Sequence, residues 1–224
     1  MINTLSMLAK TYLPEKAIEA LREPRNALLS QLSRYGYRRD HWVRVPQIDA
    51  WRAYLAALPL SELDALEISP NVNSMWRQIG FGSYTAVDFP SFDITKDRLS
   101  GLFDVIIAEH VFEHLRNPYA AARNVYNMLK DDGVFLIATP FLIRVHGSPQ
   151  DFTRWTSDGL SSFLEDCGFH ADTHSWGNRR AVVANFDVWA YFGFGRSLRN
   201  EPDLPVVVWA YARKKSSSKS IGPA

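Results

Sequence analysis

The sequence predicts an α/β domain in which a mostly parallel β-sheet is covered by crossover helices. Three observations carry that reading. From about Pro59 onward, short apolar runs alternate with stretches of helical period, the pattern of parallel strands joined through helices. Two of those runs, Phe103–Ala108 (FDVIIA) and Val134–Thr139 (VFLIAT), are almost wholly apolar, as strands buried on both faces must be. Between them stands Asn117-Pro118, a helix start with an N-capping side chain and a proline where a missing N–H costs nothing.

The elements follow in order. Residues 15–33 read as a helix broken or kinked at Pro24, because proline lacks a donor and clashes with the preceding turn. Arg34 to Arg44 is a polar, aromatic-rich connection. Residues 47–58 place Ile48, Trp51, Leu55 and Leu58 on one helical stripe facing a core. Leu63–Ile68, Ser83–Val87 and Phe103–Ala108 read as the first three strands. The helix from Pro118 carries Tyr119, Ala122, Tyr126 and Leu129 as its apolar stripe, and Asp132-Gly133 reads as a turn before Val134–Thr139. Pro140 to Trp155 is a long loop after a strand's C-terminal end, where open α/β sheets bind ligands. Thr156 caps a helix with Leu160, Phe163, Leu164 and Cys167 on one face, and Gly168 supplies the left-handed stop. Ala171–Trp176 reads as a strand, Arg180–Phe194 as an aromatic-rich helix or loop, and Leu204–Arg213 as a strong final strand. The tail from Lys214 reads as disordered. The expected organisation is a helical cap or extension over 1–59, an α/β domain over 60–213 and a flexible basic tail over 214–224.

Composition narrows the function. The 224 residues are 46% hydrophobic and 22% charged, an ordinary globular balance with enough chain for a core without staples. Cys167 is the single cysteine, which excludes an internal disulfide and points to a reducing compartment. No run of about eighteen apolar residues is present, so no membrane span is expected. Met1 to Pro14 lacks the features of a secretory signal, and a cytoplasmic location follows as the expectation. Lys/Arg against Asp/Glu count nine to five over 1–60, eight to sixteen over 61–175 and eight to three over 176–224. The acidic middle suits a cationic ligand or a metal and repels a nucleic acid backbone, so no nucleic acid partner is expected. A solvated acidic surface gives the same pattern.

Leu63–Ile68, Asp88 closing the second strand, and the block FDVIIAEHVFEHLRNPYAAARNVYNMLKDDGVFLIATP resemble class I S-adenosylmethionine-dependent methyltransferases. Thr156–Phe169, ending in CGF, resembles them too, so the likeness covers about residues 60–176 and the last strand. It implies a Rossmann-like, seven-stranded, mostly parallel sheet with helices on both faces and an antiparallel C-terminal strand, preceded by the N-terminal helical segment. It also implies S-adenosylmethionine at the sheet's C-terminal edge, with S-adenosylhomocysteine as product. Glu67 then lies beside the cationic cofactor. Asp88 accepts hydrogen bonds from the ribose hydroxyls. Asp93 and Ile94 resemble the acidic-apolar step at the adenine, and Glu109 ends the strand that faces the methyl group. Ser69 and Asn71 stand in the first cofactor loop, which departs from the family in having no glycine until Gly80. Asn71 or Asn73 can supply the left-handed geometry that a glycine gives there.

His110 is the first candidate base, with His114 and His146 as alternatives. Asp151, Arg154 and Trp155 combine an acid, a cation and a stacking wall for a polar substrate, or form a pair that only orders the loop. The implied activity is methyl transfer to a small molecule or glycan precursor. The alternative is a catalytically inactive binding or scaffold protein, with Trp189, Tyr191, Phe192 and Phe194 at an interface; a homodimer stays open. His110-Val-Phe-Glu113-His114 also matches H-x-x-E-H, which on a helix lets two histidines share a zinc. No third ligand is identifiable in the sequence, and no metal site is assigned. Arg34, Arg38, Arg39 and Arg44, interleaved with Tyr35, Tyr37, His41 and Trp42, fit phosphate and sugar contacts or a solvated linker with packed aromatics. The G-x-G-x-x-G of a nicotinamide-binding enzyme is absent.

Overall fold

The computed structural model describes residues 31, 38, 40–72, 74–147, 149–187, 189–193 and 195–215. In chain order the elements are α1 (Val45–Ala56), β1 (Asp64–Ile68), β2 (Ser83–Val87), β3 (Phe103–Glu109), α2 (Pro118–Met128), β4 (Leu129–Pro140), α3 (Ser157–Asp166), β5 (Phe169–Trp176), α4 (Arg179–Asp187) and β6 (Val207–Lys214), with short 3₁₀ turns between them. The helix expected over 15–33, residue 31 apart, and the tail beyond 215 lie outside the described residues.

Side-chain alternation along the strands builds three layers. Ile106, Ala108, Phe135 and Ile137 face α2 and α3, where Ala122, Val125, Leu160 and Phe163 close one core. Val105, Ile107, Leu136 and Ala138 face the other way, onto Ile48, Trp51 and Leu55 of α1 and onto Trp76. The stripe read from α1 is therefore the buried one, with Leu58 half-buried at its end. This part of the N-terminal extension is built onto the sheet.

The sheet has six strands in the order β2-β1-β3-β4-β6-β5. Neighbours from β2 to β4 are parallel, and β6 runs antiparallel to both β4 and β5. The expected Rossmann-like pattern is present, with six strands among the described residues instead of seven. The segment from Asp88 to Leu102 accounts for the difference. It forms only tight turns, such as Phe92 N–H to Asp88 O (3.0 Å) and Lys96 N–H to Asp93 O (2.8 Å), and leaves no room for a helix and a further strand.

Three punctuation signals act as read. Asn117 Oδ1 accepts the Ala120 N–H (3.1 Å), and Thr156 Oγ1 accepts the Gly159 N–H (3.1 Å). Gly168, at φ +95, turns the chain out of α3. Asp132-Gly133 differs: it lies inside a continuous β4, where Leu129 pairs with Phe103 but Val134 pairs with Val105. The surplus residues are looped out as a bulge, so the turn signal marks an irregularity in a strand and not its start.

Trp51 is fully buried against Trp76, with ring centroids 5.7 Å apart. Trp51→Ala is expected to cost about 3–5 kcal/mol in urea unfolding; a loss below about 1 kcal/mol would show that α1 is not docked on the sheet.

Candidate active site

The C-terminal ends of β1 and β3 lie side by side, and each runs into a non-glycine residue with left-handed backbone: Ser69 at φ 50 and His110 at φ 56. Such a residue costs on the order of 1 kcal/mol. Both stay tied to the sheet, Ser69 N–H to Val87 O (2.7 Å) and His110 N–H to Ala138 O (2.8 Å). The chain therefore turns sharply where each strand ends. The left-handed role expected at Asn71 or Asn73 is taken by Ser69; Asn73 lies outside the described residues.

Two acids stand on the α1-facing side of these strand ends. Glu67 is 2% exposed. The Ser74 hydroxyl donates to it from 2.7 and 2.6 Å of its two oxygens, and the Tyr84 hydroxyl donates at 2.5 Å. Burial pushes the Glu67 carboxyl up, against the pull of these hydroxyls, and pushes the Tyr84 phenol up to about 12. Glu109 accepts from the Trp76 indole N–H (3.0 Å), with Arg44 Nη1 3.8 Å from its other oxygen.

The remaining residues of the expected cofactor edge are placed differently from one another. Asp88 is exposed at the end of β2, and its carboxylate accepts no hydrogen bond among the described residues. Asp93 accepts from Thr95 N–H (3.0 Å) and Thr95 Oγ1 (2.6 Å) and pairs with Lys96 (2.9 Å), which holds its carboxyl below the usual range. Ile94 is 3% exposed and packs in the α2 core.

A second cluster forms where the turn after β3 meets the loop after β4. Phe152 N–H donates to Glu113 O (2.7 Å), which pins the two segments together. Glu113 is fully buried, and neither carboxylate oxygen has a hydrogen-bond partner. Its Oε1 lies 3.7 Å from His110 Nδ1, 3.5 Å from His114 Nε2 and 3.8 Å from His146 Nε2. Burial pushes the Glu113 carboxyl up to about 8. H-x-x-E-H is not helical here, because His110 sits on the left-handed turn and only Phe112–His114 form a 3₁₀ turn.

His110, with a side chain 6% exposed, joins His41, Arg44, Ile143, His146 and Trp189 around a pocket of about 110 Å³. Its Nε2 has no hydrogen-bond partner. Burial first, and then the Arg44 cation, hold its pKa well below the ordinary histidine value.

The 146–155 loop is braced from within. Asp151 Oδ2 accepts the His146 N–H (3.0 Å) and the Arg154 guanidinium. Arg154 also reaches Arg144 O (3.5 Å), so the Asp151–Arg154 pair orders the loop, one of the two roles open from sequence. Trp155 is 8% exposed and packs its ring on Phe163 (5.3 Å), which anchors the loop on the α3 side.

The far wall comes from the segment before α1 and the segment after α4. Trp42 N–H donates to Ala190 O (2.7 Å), and His41 bridges and stacks on Tyr191 (4.7 Å). Trp189 and Phe192 pack on the α1-side core, so these aromatics serve the chain's own closure. Residues 34–37, Arg39 and Phe194 lie outside the described residues. Ser74 and Trp76 carried no motif, and His41 was read only as part of the arginine- and aromatic-rich stretch before α1. Tyr84 had one signal: in a parallel register it faces Ala65, two residues from Glu67 on the same side.

A profile described as a methyltransferase domain matches residues 26–179. The chain belongs to this methyltransferase family. No curated protein sequence matches it significantly. Among solved structures, the Burkholderia thailandensis 1,6-didemethyltoxoflavin-N1-methyltransferase, with its substrate and S-adenosylhomocysteine bound, gives a TM-score of 0.53 at 13% identity over 90% of this chain and 91% of that one. The DhpI–SAH complex gives 0.52 at 12% identity, covering 85% and 95%. An S-adenosylmethionine-dependent methyltransferase from Clostridium acetobutylicum ATCC 824 gives 0.51 at 10% identity, covering 86% and 99%. At these identities the likeness is one of fold. Among the described residues, no helix of this methyltransferase-family chain is long and apolar enough to cross a membrane.

Burial, and then Arg44, lower His41 to about 4, so the folded state keeps it neutral while the unfolded chain protonates it near 6.5. The unfolded state binds more protons in that window, and the stability due to His41 is complete above 6.5 and is lost as pH falls toward 4. Urea midpoints across this range should fall more steeply for the wild type than for His41→Gln. Parallel curves would remove His41 from the acid response.

Proposed function

We propose that the chain transfers the methyl group of S-adenosylmethionine to a small polar acceptor seated against His110. One observation carries the reading: the buried Nε2 of His110, without a hydrogen-bond partner, stands beside a pocket at the C-terminal end of β3. A free imidazole nitrogen there is suited to take the proton that an acceptor loses as it attacks. His114 and His146 flank it as further proton carriers. The small pocket, with Arg44 and Trp189 in its walls, suits a small molecule or one unit of a glycan precursor.

The sheet edge fits the cofactor at its nucleoside end. Asp88 is exposed and unpartnered at the end of β2, where a carboxylate can accept two ribose hydroxyls. Ser69 and Asn71 border the same edge, with Asp93 in the turn beyond it. Glu67 acts at one remove. Its hydrogen bonds to Ser74 and Tyr84 tie the first loop to the sheet, and with Glu109 it lends negative potential beside a cationic ligand. When bound, the cofactor supplies a methyl group on a positively charged sulfur. Arg154 and Asp151 keep the 146–155 loop in place as a wall of the acceptor site.

A second reading, a binding protein without catalysis, is favoured by the engagement of Glu67 by Ser74 and Tyr84 on both oxygens. Calorimetry with S-adenosylmethionine and S-adenosylhomocysteine separates the two. Methyl transfer requires binding by the wild type; Asp88→Ala is expected to bind at least about tenfold more weakly, and unchanged affinity would remove Asp88 from the cofactor site. A folded wild-type protein that binds neither compound would leave only the second reading. With an acceptor found by screening, His110→Ala should keep its cofactor affinity and lose about 10²–10⁴ in turnover; unchanged turnover would exclude His110 as the base.

A further inference from the structure

We infer that Glu113, His114 and His146 form a binding site for a divalent transition-metal ion of the zinc class. The site lies where the turn after β3 meets the loop after β4. The inference does not depend on the methyl-transfer reading.

The three donor atoms lie within 4.8 Å of one another. Glu113 is the decisive member. It is wholly buried and aimed into the cluster, and neither of its oxygens has a hydrogen-bond partner. A buried carboxylate without partners is costly, so this position calls for a cation or a proton. The spacing favours a shared centre. Separations of 3.5 and 3.8 Å from Glu113 Oε1 to His114 Nε2 and His146 Nε2 are too long for hydrogen bonds. Bonds of about 2.0–2.2 Å to one ion at tetrahedral angles put ligand atoms about 3.4 Å apart, so the two distances from Glu113 are already close to that spacing, and the two histidine nitrogens, within 4.8 Å of each other, close on the ion by side-chain rotation.

The outer groups are arranged as metal-bound histidines require. His114 Nδ1 lies 2.6 Å from the Gln150 carbonyl oxygen, which accepts its proton and leaves Nε2 with a lone pair. His146 Nδ1 lies 3.3 Å from Asp151 Oδ2 and 3.4 Å from Arg154 Nη2. An ion on Nε2 selects the tautomer whose Nδ1–H faces the Asp151 carboxylate. Two imidazoles and one carboxylate leave a further coordination position open, as in hydrolytic zinc sites. His146 also lines the pocket, so that position lies next to the proposed acceptor site.

The test uses the full chain, stripped with a chelator and titrated with zinc alone against a chromophoric competitor. One equivalent is expected to bind with micromolar or tighter affinity. His114→Ala/His146→Ala, at partly exposed side chains, should weaken it by at least about 100-fold while the fold is kept. Cobalt(II) should give the intense visible bands of a four-coordinate ion in the wild type and lose them in that variant. Asp151→Asn should weaken zinc binding by about 10–100-fold through His146. The inference is overturned if zinc fails to bind below about 100 µM. It is equally overturned if the double variant binds as well as the wild type, or if binding is lost only with His174→Ala, at the exposed His174–Asp172 pair (3.2 Å) on β5. Glu113→Gln sits in the core; if it does not fold, the histidine variants still decide the matter. Cofactor calorimetry on the stripped protein reads the methyl-transfer proposal separately.

Discussion

Burial of β3 and β4 on both faces is the constraint from which the rest of the structure follows. Two apolar faces demand two helical layers, and α2 with α3 cover one while α1 with α4 cover the other. The same burial excludes polar chemistry from the strand bodies. Charged groups enter at the strand ends, and at the C-terminal ends of β1 and β3 Glu67, Glu109, His110 and Glu113 each stand within a few residues of where the strand stops. The left-handed backbones at Ser69 and His110 belong to the same constraint, since each strand has to turn away at once from a sheet that admits no polar backbone beyond its last hydrogen bond.

What surrounds these groups sorts them. Glu67 is held by two hydroxyls and Glu109 by an indole N–H, so both acids brace the first loop. Glu113 has three imidazoles at distances too great for hydrogen bonds and no other partner among its neighbours. Arg44 sits between the two groups, facing Glu109 on one side and the His110 pocket on the other. A single cation thus faces Glu109 while lowering the basicity of His110 and His41.

The fold was legible because its signals are local and repeated. Apolar runs marked β3 and β4, Asn117 and Thr156 marked helix starts, and Gly168 marked a stop. The strand count was less legible, since a resemblance supplied seven while the turns after Asp88 supply no strand. The site was legible only in part. The residues that end strands, Glu67, Asp88 and His110, could be placed by position alone. The partners of Glu67 could not, because Ser74 and Tyr84 reach it only through folding of the loop and pairing of β2. Trp155 shows the limit of composition: its place beside an acid and a base suggested a substrate contact, but gave no sign of its packing on Phe163. His146 could be named as a candidate base, but its place beside Glu113 could not be read, because it lies on another loop, joined by the backbone bond from Phe152 to Glu113.

The missing strand has a mechanical consequence. Among the described residues β2 pairs only with β1, so its outer side presents free amide and carbonyl groups, a template on which an extended peptide can align. The hazard is contained by brevity. β2 is five residues long and meets Asp88 and then Pro90, so an incoming strand finds few positions to pair with before a charge and a ring without an N–H interrupt it. The shortened crossover that removes a strand from the sheet therefore also limits how far the sheet can grow into a neighbouring molecule.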